Sequence, residues 1–494
     1  MSFEDFSVLP RRTKETSLIK DSVPAIHFYD QDFVDMYDRS WVWINDAWTS
    51  GTKENGFTGS YLSYAGQKTF SQIDACMSSL FLVYSNQEFP PFPMIDYFYE
   101  KQEENGAIRS DYSRENGSPV LSTSNPEGVQ LPLFAYVEYN FYHKIGNKRR
   151  LKEIVPVLEK YHAWLQKTFL QPNGLYKVPQ EAYLTGNIDR SHVEYAVDFN
   201  AAMALNALYM SEIGDILNDK ELAFRYKRAY FALKTRINDL MWDAELNYYY
   251  DLAADDSRVT DIKHLGTYWT LLASIPNEEQ AAFLIAYLQD PGIFGAENPF
   301  PLLSIDSPGY SNDGDGHKGS VIPLFTYMVV KGLEKYRQFI FARECAIRHL
   351  YFLLDTYQPE VDTVDDVWEA YLPQNDGHPV YVPGEREDFP RRRYMPMVGM
   401  VTIALMVENV IGLNISLPRK TVDWTLQDLE AMGIQHLSLK RNLITILSNK
   451  NARGWEIRLE SEKLYYFTIQ ILNSHKKKTL PIPSGKCSLL IDKL

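Results

Sequence analysis

From Phe33 onward the apolar positions Phe33, Met36, Tyr37, Trp41, Ile44 and Trp48 recur every three or four residues. That spacing lines one face of a 3.6-residue turn and predicts a first helix. The same period predicts helices over Phe70–Tyr84 and Met94–Glu104, parted by Phe89-Pro90-Pro91-Phe92-Pro93, which neither can absorb. It continues over Leu131–Ile145, Leu151–Leu170, Tyr195–Leu217, Glu221–Trp242, Asp261–Ile275, Glu278–Asp290, Gly319–Arg337, Phe339–Tyr357 and Met395–Leu413. Some, such as Leu151–Leu170, carry a charged face, whereas Tyr195–Leu217 and Met395–Leu413 are largely apolar. Half-buried helices alternating with fully buried ones predict two concentric rings, because an inner helix meets protein on more sides than an outer one. The predicted fold class is mainly α, an (α/α)6 barrel.

The connections Gly106–Glu127, Pro172–Glu194, Asp290–Lys318 and Gln358–Arg393 are long and rich in Gly, Pro, Asp, Asn and Tyr. Loops of that length in a compact domain tend to be functional or disordered, and their recurrence between helices is expected to gather them at one mouth of the barrel. After Leu413 the period changes. Leu443–Leu447, Trp455–Leu459 and Tyr465–Ile469 are short runs of β-branched and aromatic residues and read as strands. Residues 1–414 are therefore expected to form the barrel and 415–494 a small β-rich domain.

Composition narrows the partners. A formal net charge of −14 disfavours nucleic acid and anionic membranes, which call for basic faces, and leaves a neutral polar substrate compatible. Cys76, Cys345 and Cys487 have neither metal-ligand nor disulfide-framework spacing, and the start Met1-Ser2-Phe3-Glu4-Asp5-Phe6 lacks the pattern of a signal peptide. Met395–Leu413 contains Glu408 and Asn409 and reads as a buried helix rather than a membrane span. A cytoplasmic location follows as the expectation.

The candidate chemistry centres on Asp365-Asp366-Val367-Trp368-Glu369-Ala370-Tyr371, where a glutamate stands between two large aromatics ahead of a Pro- and Gly-rich loop. A second acidic stretch carries Asp189 in a loop and Asp198 in the first turns of the next helix. Two carboxylates from distant parts of a chain, meeting at a barrel mouth, are what glycoside hydrolysis requires: one donates a proton to the leaving oxygen, the other acts as base or nucleophile. Spacing alone does not assign those roles between Asp189, Asp198 and Glu369. Asp365-Asp366-Val367-Trp368-Glu369 also fits an Asp-Asp-x-x-Glu diphosphate–metal pattern, but no second such motif accompanies it. Asp313-Gly314-Asp315-Gly316 begins like a calcium loop and lacks the spaced Glu. Arg391-Arg392-Arg393 reads as a brace for acidic loops, with contact of one of them to a charged substrate as the alternative.

An ordered set of segments is similar to a known family. Ile73-Asp74-Ala75-Cys76 resembles a Trp-Asp-Thr-Cys-type segment, Lys101-Gln102-Glu103-Glu104-Asn105-Gly106 a Gln-x-x-Asp-Gly turn, and Val197-Asp198-Phe199-Asn200-Ala201 a Val-Asp-Leu-Asn-Ala helix start. Met241-Trp242-Asp243 through Tyr248-Tyr249-Tyr250-Asp251 resembles Trp-Asp…Phe-Tyr-Asp. Gly316-His317-Lys318-Gly319-Ser320-Val321-Ile322-Pro323 stands where the pattern has Trp-Arg-Gly-Pro-x-Trp-Pro, and Val367-Trp368-Glu369-Ala370-Tyr371 where it has Trp-Glu-Asn-Tyr. From about Asp74 to the C-terminus the chain resembles the (α/α)6-barrel glycosidases that include glycoside hydrolase family 63, especially the mannosylglycerate hydrolase-like members.

The resemblance implies inverting hydrolysis of a small α-linked glucoside, mannoside or mannosylglycerate-like glycoside, with no cofactor and no metal. It implies Asp189 as general acid and Glu369 as general base, with sugar contacts from some of Asp74, Gln102, Asp198, Tyr310, His317, Lys318, Trp368 and Tyr371. Three departures stand out. Asp189 follows Gly186 by three residues where the family's acid follows by two, His317-Lys318 replaces Trp-Arg, and Ala370 replaces Asn. They motivate the alternative of a non-catalytic sugar-binding protein on a degenerate glycosidase scaffold.

Overall fold

The structure, a computed structural model, describes residues 22–63, 67–356, 367–374, 377–379, 389–426, 431–439 and 442–461, and the strand backbones at 467–473, 476–482 and 485–492. Asp365 and Asp366, the start of the chain as far as Asp21, and Tyr465-Tyr466 of the third expected strand lie outside the described residues.

Helices α1 (Gln31–Ala47), α2 (Gln72–Leu82), α3 (Phe92–Glu100), α4 (Phe134–Ile145), α5 (Lys148–Phe169) and α6 (Val197–Leu217) come first. They are followed by α7 (Lys220–Leu240), α8 (Trp269–Leu272), α9 (Glu278–Gln289), α10 (Pro323–Lys335), α11 (Phe339–Thr356) and α12 (Met395–Gly399), the last continuing as a π-helix over Met400–Val410. Burial alternates along this series. All of α2 is buried and sixteen of the 21 residues of α6 are, against six of 21 in α7. The even-numbered helices form the inner ring and the odd-numbered the outer, an (α/α)6 barrel.

Asp261–Ile275, expected as one helix, is a departure. His264 is extended (φ −121°, ψ 151°) and bridges Leu303, and Tyr248 Oη donates to its carbonyl at 2.9 Å. These tertiary bonds hold the backbone out of the helix until a single 3-10 turn, Leu265–Tyr268, leads into the four-residue α8.

The C-terminal β-rich region begins at Leu413. Strand β1 (Ala25–His27) precedes the barrel, and β2 (Thr69–Ser71) pairs with β3 (Asp111–Ser113) at its mouth. The later strands are β4 (Leu413–Ser416), β5 (Thr421–Thr425), β6 (Ala431–Ser438), β7 (Leu443–Asn451), β8 (Gly454–Ser461), β9 (Phe467–Asn473), β10 (Lys476–Ile482) and β11 (Gly485–Asp492). They form a five-stranded sheet, β1-β6-β7-β8-β11, and a four-stranded sheet, β10-β9-β5-β4. In the first, Ala25 pairs with Gln435, so the N-terminal strand belongs to the C-terminal sheet. No described helix is long and apolar enough to cross a membrane.

The two ends of the barrel differ in chemistry. At the C-terminal ends of the inner helices, the largely buried Glu408 receives Lys144 at 3.3 Å and Lys331 at 2.8 Å. Burial pushes the Glu408 carboxyl up, but the two ammonium groups outweigh it and bring it down to about 2. The connection after β4 covers this floor, with Leu417 N donating to His143 O at 2.8 Å and, from β5, Trp424 Nε1 donating to Ile411 O at 2.9 Å. The N-terminal ends of α2, α10 and α12 open instead on the large cavity described next.

Candidate active site

Val367–Glu369 runs extended against Arg391–Arg393, the chain bends at Glu369, and Tyr371 pairs with Val321 on the other side. Val321 and Tyr371 exchange backbone hydrogen bonds at 2.8 and 2.9 Å, and Glu369 N donates to Arg391 O at 3.0 Å. Because side chains alternate along extended backbone, Glu369 and Trp368 face opposite ways. Glu369, 4% exposed, lines a cavity of about 710 Å³. Trp368 lies away from that cavity, stacked on His378 with centroids 3.6 Å apart and with the Arg392 guanidinium 5.5 Å from its ring.

Arg391 fixes the carboxylate. Its Nε donates to Glu369 Oε2 and its Nη2 to Oε1, both at 2.8 Å, and its backbone N reaches Oε2 at 3.1 Å. Paired donation of this kind sets the plane of a carboxylate as well as its position. The same guanidinium lies 3.2 Å from the centroid of Tyr394, whose hydroxyl donates to Asp74 Oδ1, while Gln67 Nε2 reaches Asp74 Oδ2 at 3.3 Å. Burial and the neighbouring Asp74 push the Tyr394 hydroxyl well above its ordinary value, so it remains a donor. One wall of the cavity is thus a connected series, Asp74, Tyr394, Arg391 and Glu369, from the first turn of α2 to the residues just before α12.

The loop at 172–194 contributes a second wall. Glu181 lines the cavity from the single turn Gln180–Ala182 and accepts from Ser122 Oγ at 2.6 Å and from Ser124 Oγ. Tyr183, Leu184 and Gly186 follow along the wall, and Gly186 (φ +49°) lies so close that a Cβ would overlap the His317 ring. Asn187 ties this loop to the next, its Oδ1 accepting from His317 N at 2.9 Å. Asp111, opposite Ser71 in the β2–β3 pair, adds a fourth carboxylate to Asp74, Glu181 and Glu369.

Of the expected site residues, the structure brings Asp74, His317 and Glu369 to this cavity. It places Asp189 outside. Ile188 and Arg190 on either side are buried, which turns Asp189 outward, where its Oδ1 accepts from Ser191 Oγ at 2.7 Å and Ser191 N at 3.1 Å. Those two bonds hold its carboxyl below the usual value. Asp198 is buried and accepts from Arg190 Nη1 at 2.7 Å. Gln102 ties down backbone, donating to Val157 O at 2.9 Å and Gly106 O at 3.1 Å. Tyr371 is buried and its hydroxyl accepts from Trp368 N at 2.9 Å. Lys318 stands 3.7 Å from Asp315, and Tyr310 is half-buried; neither lines the cavity.

Asp111, Glu181, Tyr394 and the clamp from Arg391 to Glu369 were not singled out as site chemistry from the sequence. Only the Arg391-Arg392-Arg393 run carried a signal, as a brace for acidic loops. Among the described residues no group of His, Cys, Asp and Glu could hold a metal ion.

Comparison with known proteins follows the same outline. Residues 180–379 match the family described as the mannosylglycerate hydrolase MGH1-like glycoside hydrolase domain, and residues 412–494 the trehalase C-terminal domain. An uncharacterized protein of Borreliella burgdorferi is 45% identical over 481 residues, covering 96% of this chain and 100% of that one. Among solved structures, a GH63 mannosylglycerate hydrolase from Thermus thermophilus in complex with glucose superposes with a TM-score of 0.59 at 15% identity, covering 75% of this chain and 99% of the other. A GH78 family rhamnosidase of Bacillus sp. GL1 superposes with a TM-score of 0.66 at 15% identity, covering 92% of this chain. The chain spans 43% of the length of that rhamnosidase. At these identities the structural likeness concerns the fold.

Proposed function

Since the chain belongs to the family of the Borreliella burgdorferi protein and is an (α/α)6-barrel glycosidase resembling the mannosylglycerate hydrolase-like members of glycoside hydrolase family 63, we propose that it hydrolyses a small α-linked glycoside with inversion. Glu369 is the general base that activates water, and a carboxylic acid on the 172–194 loop protonates the leaving oxygen. The observation that carries this reading is a buried, guanidinium-clamped Glu369 in one cavity with carboxylates from other loops. A volume of about 710 Å³ lies within the range of small-ligand sites.

Within that loop the acid is assigned to Glu181, which is exposed but lines the cavity, in preference to Asp189, which is exposed and does not line it. Desolvation by a bound ligand favours the neutral form of any carboxyl it covers, and that is the state a proton donor needs. Asp74, bound to Tyr394, and His317 are assigned to sugar contacts. The outward Asp189 also favours a second reading, a sugar-holding protein without turnover, which predicts binding by the wild type and no hydrolysis.

The assignment of the acid is tested by Glu181→Gln and Asp189→Asn on α-glucosides, α-mannosides and mannosylglycerate. Glu181→Gln is expected to lower kcat about 100-fold, within the usual range for a lost general acid. The loss shrinks on an aryl glycoside whose leaving group departs without protonation. Asp189→Asn stays within a few-fold of wild type. The opposite pattern, with Asp189→Asn inactive and Glu181→Gln active, would move the acid to Asp189.

A further inference from the structure

The charge on the cavity wall narrows the substrate. Among the described residues, four carboxylates line it, Asp74, Asp111, Glu181 and Glu369, against a single guanidinium, Arg391, and the imidazole of His317. Arg391 is committed to Glu369 and packed on Tyr394. The described part of the wall therefore remains net negative even when a positive charge is counted for His317, and it stays so with one carboxyl protonated as the donor.

Several other described cations of the surrounding loops are engaged elsewhere. Arg190 is buried between Asp198 and Asp251, and Arg109 is held by Glu103 and Glu127. Arg114 donates to Gln67 O at 2.9 Å, Lys318 stands beside Asp315, and Arg392 and Arg393 pack on Trp368 and Trp43. Among the described lining residues, a bound carboxylate or phosphate would meet four carboxylates and no cation besides Arg391 and His317.

We infer that the site admits only glycosides without negative charge, on both the sugar and the aglycone, and rejects glycosides of hydroxy acids, sugar acids and sugar phosphates. This inference rests on the hydrolase reading for its kinetic form, and on the cavity alone for its binding form. One uncompensated carboxylate about 6 Å from a substrate anion, at an effective dielectric of about 20, weakens the interaction by about 100-fold. The repulsion falls with ionic strength, because salt screens charges across an open, water-filled site.

The test uses pairs matched except for one charge: α-mannosylglycerol with α-mannosylglycerate, and α-glucosylglycerol with α-glucosylglycerate. At low salt, kcat/KM is expected to favour the neutral member by at least about 100-fold, with the ratio narrowing in high salt. Asp111→Asn, which removes one wall charge, is expected to narrow it as well. Equal or faster turnover of the glycerate glycosides overturns the inference. If no member is hydrolysed, calorimetry on the wild type decides. Binding of the neutral members alone upholds the inference while the hydrolase reading fails, and equal binding, tighter binding of the acids, or no binding of any member overturns it.

Discussion

Glu369→Gln is expected to lower kcat by about 1,000-fold on any glycoside the wild type cleaves, a loss typical of a removed general base, with little change in KM. Water activation is needed only in the transition state, so its loss appears in kcat and kcat/KM together. Glutamine keeps the shape and one acceptor oxygen, but it turns an amide against the guanidinium that now donates to both Glu369 oxygens. A modest drop in melting temperature should accompany the kinetic effect, because Arg391 is largely buried and loses an ionised partner. Calorimetry that retains sugar binding separates lost chemistry from lost structure. Unchanged turnover would remove Glu369 from the mechanism.

Arg190→Met should produce the largest change in stability. Arg190, 1% exposed, donates to Asp198 at 2.7 Å and to Asp251 at 2.9 Å, and its guanidinium lies 4.2 Å from the Tyr183 ring on the cavity wall. Removing one partner of a buried ion network leaves charges without compensation and costs about 3–5 kcal/mol. Here it would leave two carboxylates and release the segment that carries Tyr183. The effect has a pH signature. Burial pushes the Asp251 carboxyl up, but Arg190 and His264 hold it well below the usual carboxylate range. A folded value below the unfolded one, about 3.9, contributes stability that is complete above about pH 4 and fades as pH falls further. Without Arg190 burial prevails, so the deficit of the variant is largest near neutrality and shrinks in acid. Melting curves at pH 7 and pH 4 measure it; a deficit under about 1 kcal/mol at pH 7 would contradict the role of Arg190 as the anchor of this loop.

The barrel was legible because its helices repeat one period and differ in how much of the circumference is apolar. Tyr195–Leu217 and Leu151–Leu170 could be told apart as inner and outer from the sequence, and the structure buries them accordingly. What failed locally failed for tertiary reasons. Residues 261–264 have the composition of a helix, yet the bridge to Leu303 and the hydrogen bond from Tyr248 hold His264 extended. Strand β1 is too short for any periodicity to mark it, and its partner Gln435 is more than four hundred positions away.

The site was legible where an acid stands in a distinctive setting and illegible where orientation decides. Glu369 was readable from its place between aromatics and Asp74 from the resemblance of Ile73-Asp74-Ala75-Cys76 to the family's segment, and both line the cavity. Trp368 and Tyr371 looked like sugar-stacking surfaces, but the alternation of extended backbone turns Trp368 from Glu369, and Tyr371 is spent bonding Trp368 N. Asp189 and Glu181 share one loop, and nothing in their spacing says which borders the cavity. The deciding residue is Arg190, drawn inward by Asp198 and by Asp251, the latter 61 positions on, so that its neighbour Asp189 turns to water. Asp198 then serves as an anchor for the loop that carries the cavity wall.

The most direct measurement is the anomeric form of the sugar at the moment of release, followed by proton NMR as the wild-type protein cleaves a neutral α-glycoside. Attack by water held at Glu369, on the face opposite the leaving group, yields the β-hemiacetal first, with the α form appearing only by mutarotation. First release of the α-hemiacetal would contradict a single displacement by water and with it the role given to Glu369.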